Sequence, residues 1–130
     1  MKAWQATASA SLLLAGVVHL IPVSGVLGAD TLRSLYGIAA AEPTIELLMQ
    51  HRAVLFGLLG LFFTVAAFRA ALRPAAFVAG LVSVTSFLLL AAPAEGLSTE
   101  VTTVAVVDLA VLACLVIGVI ASILAGRQAT

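Results

Sequence analysis

Charge is scarce in this sequence. Charged residues make up 9% of its 130 residues, hydrophobic residues make up 63%, and mean hydropathy is +1.25. A soluble domain carries roughly 25% charged residues, so a water-soluble globule is excluded and one membrane domain over 1–130 is expected. Cysteine is nearly absent: the one thiol, Cys114, lies in an apolar run and allows neither a disulfide framework nor a cysteine metal cluster. Six basic residues balance six acidic ones, and no basic run exists to hold nucleic acid. Alternation of polar and apolar residues is missing too, which excludes a membrane barrel. The chain has no phosphate-binding glycine loop, no nucleophile elbow and no HExxH motif. Nucleotide-dependent group transfer is therefore disfavoured, and no metal site is read.

What remains is helical. Four apolar segments, about 6–28, 44–68, 75–92 and 102–125, come near the ~20 residues that cross a bilayer core. Helices satisfy their own backbone in lipid. The expected fold is all-α, an integral membrane four-helix bundle. Breakers mark the segment ends: Glu42-Pro43-Thr44 before the second, Arg73-Pro74 before the third, Pro93 after it and Ser98-Thr99-Glu100 before the fourth. Pro22 predicts a kink in the first, close to His19.

Charge gives the orientation. Lys2, Arg69, Arg73 and Arg127 fall at the two termini and the 2–3 connection, without an acid among them. Asp30, Glu42, Glu46, Glu95 and Glu100 fall at the opposite end. The positive-inside rule then puts both termini in the cytoplasm. A cleavable signal peptide ending near Ala29 is the rival reading, but its apolar run is long and holds His19 and Pro22.

The connection from Ala29 to Pro43 predicts a short helix over 31–37, capped by Asp30-Thr31 and ended by Gly37. With Leu32, Leu35 and Tyr36 on one side and Arg33 and Ser34 on the other, it is expected in the interface as a lid, Tyr36 at headgroup level. Small residues four apart predict the interhelical seams. These are Ala110, Cys114, Gly118, Ser122 and Gly126 in the last segment, and Ala3, Thr7, Ser11 and Ala15 in the first. The first stripe runs on to His19, which should face protein. Ala76 with Gly80, and Ala79 with Ser83, do the same in the third.

Intramembrane ionisable groups are the candidate site. At 1.5 Å per residue, Asp108, His51, Arg52 and His19 lie roughly 9–13 Å inside the acidic end of their helices. An Arg52–Asp108 ion pair is the expected resolution of both charges, with Glu46 one turn nearer the surface sharing the arginine or bonding Gln50. Structurally, the pair would specify the fold and tie two helices. Functionally, His19, Glu46, His51, Arg52, Asp108 and Tyr36 would head an apolar pocket. A histidine beside a carboxylate also suits proton transfer. His19 and His51, from adjacent helices at similar depth, give bis-histidine ligation of a haem b as the alternative.

The order "LLLAGVVHLIP…LGADTLRSLYGI", then "LLMQHRAVLFGLLG", then "VVDLAVL" resembles small bacterial four-helix proteins of the broad DoxX-like group over nearly the whole chain. The resemblance implies a four-helix bundle in the cytoplasmic membrane; some such proteins are subunits of quinone-linked oxidoreductases. It implies no catalytic set. Small multidrug transporters are of similar size but rely on a glutamate in the first helix, where this chain has His19. The expectation is a protein that binds an amphipathic molecule, a quinone or lipid, or serves as an accessory subunit. A membrane enzyme acting on a lipid-like substrate and a haem b electron-transfer subunit are the alternatives. Membrane lipid, a homodimer partner or another membrane subunit are the expected partners.

Overall fold

A computed structural model describes residues 2–39 and 42–128, and no strand occurs among them. Five α-helices follow in order: α1 (Lys2–Leu20), α2 (Ala29–Tyr36), α3 (Pro43–Phe68), α4 (Arg73–Ala91) and α5 (Thr99–Arg127). Short 3₁₀ turns, Ile21–Leu27 and Ala70–Leu72, extend α1 and precede α4. Four helices are long and apolar enough to cross a membrane: Lys2–Leu27, Pro43–Phe68, Ala70–Ala91 and Thr99–Arg127. Ala40 and Ala41 of the 1–2 connection lie outside the described residues.

Local chemistry sets the boundaries. Pro22 has no N–H to donate and crowds the preceding turn, so α1 gives way to the 3₁₀ segment just after His19. The predicted kink is thus a change of helix type. Glu42 caps α3: its carboxylate accepts from the Thr44 and Ile45 amides at 3.0 and 3.1 Å. Those bonds, Thr44 foremost, hold its carboxyl below the usual glutamate range. The cap of α2 differs from expectation. Gly28, not Asp30 or Thr31, occupies it, and Asp30 falls in the first turn, 3.9 Å from exposed Arg33.

The bundle is a four-sided ring. α1 packs extensively on α3 and α5, α4 packs on α5 and to a lesser extent on α3, and α3 and α5 do not pack on each other. Leu12, Phe63 and Leu115 fill the core between alanines Ala8, Ala15 and Ala66. Leu58, Val78 and Ile117 are exposed on the outer surface, which suits lipid contact. Where α1 crosses α3 the backbones nearly touch: a Cβ at Gly60 would stand 2.9 Å from the Gly16 carbonyl oxygen.

The predicted seam on α5 is displaced. Ala110 and Gly126 are exposed, and of that stripe Gly118 is buried. The buried face runs through Val111, Leu115, Gly118 and Ala121. Gly118 meets close neighbours there, Phe77 of α4 and Ser11 of α1. The α1 stripe is buried from Ser11 through Ala15 to His19, while Ala3 is exposed.

Each end of the bundle is tied. At the basic end Arg73 Nη2 donates to Ser9 Oγ (2.7 Å) and to the Ala67 carbonyl (3.0 Å), placing a cation at the negative end of α3. At the other end Ser98 caps α5, accepting from the Val101 amide at 3.1 Å, and its hydroxyl donates to the Tyr36 carbonyl. Gly37 closes α2 at φ +66°, and a Cβ there would collide with the Glu100 carboxylate. α2 is thereby clamped down as a roof, with Leu32 and Tyr36 buried against Met49 and Val101.

Candidate functional site

Because α3 and α5 stay apart, space remains between them at the end roofed by α2. A cavity of about 330 Å³ lies there, walled by Val18 and His19 of α1, Tyr36 of α2, Arg52 and Phe56 of α3, and Asp108 of α5. Glu100 and Thr103 also face it. Its walls are mostly apolar with a few converging polar groups, the usual character of a small-molecule site.

Arg52 is the central group. Its guanidinium carbon lies 4.6 Å from the centre of the Phe56 ring and 5.2 Å from that of Tyr36. Such contacts attract a cation to the ring faces but satisfy none of its N–H donors. The predicted ion pair with Asp108 is not formed: among the described residues the one carboxylate–cation contact within 4 Å is Arg33–Asp30. Both side chains face the same cavity without closing on each other. The separation of α3 from α5 is the physical reason. The two aromatic rings take the guanidinium instead.

His19 is 2% exposed and fully engaged. Nδ1 stands 2.8 Å from the Ala15 carbonyl, which only accepts, so Nδ1 carries the proton; Nε2 then accepts from Ser83 Oγ at 3.2 Å. Phe56 stacks on the ring at 5.3 Å and Phe63 meets it edge-on at 5.0 Å. His51 is exposed on the outside of α3 and does not line the cavity. The histidines therefore do not converge. One has both nitrogens taken and the other faces away, so these residues do not fit a bis-histidine haem. Tyr36, expected at the interface, is turned inward and 7% exposed. Glu46 stays outside the cavity near Gly28, and Gln50 donates to the Val26 carbonyl (3.2 Å) instead of bonding Glu46.

Phe56 was not singled out from the sequence, and Glu100 and Ser83 were read there only as a helix-start acid and a packing residue, although the spacing carried a signal. Phe56 is one turn from Arg52, and Glu100 is two turns from Asp108 on the same face. No family model matches the chain, and neither a curated protein nor a solved structure matches it.

Proposed function

We propose that this is a membrane protein that binds an amphipathic small molecule, a quinone or a lipid, with its polar head at Arg52. The observation that carries this reading is the state of Arg52. Among the described residues the guanidinium has neither a hydrogen bond nor an ion pair, and it faces an apolar cavity. A cation in that position is costly unless an acceptor reaches it, and a ligand carbonyl or anion supplies one. Tyr36 and Phe56 attract the guanidinium through their ring faces and leave its N–H donors for an occupant. The DoxX-like resemblance, which implies quinone-linked oxidoreductase subunits among similar proteins, agrees with a quinone as that occupant. An accessory role beside a partner subunit is compatible with the same site.

The orientation belongs to this proposal: both termini in the bacterial cytoplasm and the Arg52 cavity in the outer leaflet, as the basic residues at the Lys2 end support. Native mass spectrometry in mild detergent tests the binding. The wild type retains a quinone or lipid, and Arg52→Met loses it while melting at the same temperature or higher. Equal retention by Arg52→Met would sink the reading.

A further inference from the structure

A second cavity of about 370 Å³ lies behind the first, between α3, α4 and α5. Phe87, Leu90 and Ala91 of α4, Met49 of α3 and Val101 of α5 make it apolar. Tyr36, Arg52 and Val104 line both cavities. The two spaces are therefore back to back across one partition, and Arg52 stands in it. Each also reaches exposed apolar side chains of the membrane-length helices, the first at Ile21 and Val107 and the second at Leu90. A head held at the partition would have two apolar exits, one on either side of the bundle. Chains leaving through them continue into the bilayer, so neither cavity has to enclose a whole chain.

The charges narrow the head. The first cavity sets one cation, Arg52, against two carboxylates, Asp108 and Glu100. A simple anion would meet Arg52 but be repelled by both acids. A zwitterion meets all three, phosphate to guanidinium and ammonium to carboxylate. We infer that the occupant is a two-chain phospholipid with an amine-bearing zwitterionic head, straddling the bundle at Arg52 with one chain through each cavity. This rests on the amphiphile-binding reading and makes it specific.

The test is native mass spectrometry of the whole protein titrated with three probes: dioleoylphosphatidylethanolamine, dioleoylphosphatidylglycerol and one-chain lysophosphatidylethanolamine. The first should bind about ten-fold more tightly than either other. Asp108→Asn should erase most of the preference over phosphatidylglycerol. Ala94→Trp, at the mouth of the second cavity, should weaken the two-chain probe and leave the one-chain probe unchanged. Ala91→Phe repeats that test from inside the cavity, and the melting temperature of each variant checks its fold. Equal binding of one-chain and two-chain probes, or of the glycerol and ethanolamine heads, overturns the inference. Retention of a single-tailed quinone alone also overturns it but leaves the amphiphile reading standing. Retention of no amphiphile by folded wild type removes both.

Discussion

His19 Nε2 lies 3.2 Å from Ser83 Oγ, and this contact joins the first and third membrane-length helices through the middle of the bundle. The histidine is a packed structural residue that also shows one face to the cavity. Its proton sits on Nδ1, directed at Ala15, and its ring separates Phe56 from Phe63. Ser83→Ala removes only the interhelical hydrogen bond, which in membranes averages about 0.6 kcal/mol. His19→Ala also empties a packed site, which costs about 2–5 kcal/mol for large-to-small core changes. Unfolding in mixed micelles should therefore rank the two variants several-fold apart. Equal losses would mean that the ring's packing contributes nothing.

Arg52 and Asp108 share a cavity but not a bond. Residues in direct contact or in one ion pair couple by about 0.5–3 kcal/mol in double-mutant cycles. A double-mutant cycle of Arg52→Met and Asp108→Asn, read by unfolding of ligand-free protein, should give a coupling well below that range. A coupling inside it would show that the two groups close on each other and that Arg52 is not waiting for a ligand.

The helical architecture was legible because hydrophobic length and breakers such as Pro43, Pro74 and Ser98 act locally. His19 could be placed toward protein because its stripe of small residues was continuous. What could not be read was lateral spacing. Whether Arg52 reaches Asp108 depends on how far α3 stands from α5, and no local pattern encodes that distance. His51 was misplaced for a simpler reason. Arg52 and His51 are neighbours in sequence, and 100° of helix rotation sends one inward and the other out. The tight α1–α3 crossing, Gly16 on Gly60, carried a signal that went unused: Ala53, Gly57, Gly60 and Thr64 form a small-residue stripe on α3.

Glu42 gives the chain a pH-sensitive helix start. Its folded pKa lies below the ordinary value of 4.5, so the stabilisation is complete above that value and is lost as pH falls through the lowered folded one. Amide exchange at Thr44 and Ile45, corrected for intrinsic rates, should stay slow from neutral pH down to the ordinary glutamate range and quicken only below it. Glu42→Ala should exchange quickly throughout. Protection unaffected by that substitution would show that the cap is not what orders the first turn.

Gly60 sets the distance between α1 and α3. An added Cβ would stand 2.8 Å from Leu20 Cγ and 2.9 Å from the Gly16 carbonyl oxygen, and the second cannot yield without moving α1. Gly60→Ala should therefore cost about 1–3 kcal/mol, the usual range for overpacking. Gly126→Ala is the control, because nothing lies within 4 Å of its Cβ position. It should be neutral or slightly stabilising, since alanine favours helix over glycine by up to about 1 kcal/mol. The consequence reaches the site, because Val18 and His19 ride on α1 and wall the cavity beside Arg52. Gly60→Ala should lower retention of the proposed amphiphile along with the melting temperature, and Gly126→Ala should lower neither. If Gly60→Ala melts like wild type, α1 has room to spare, and the cavity's shape is not fixed by this crossing.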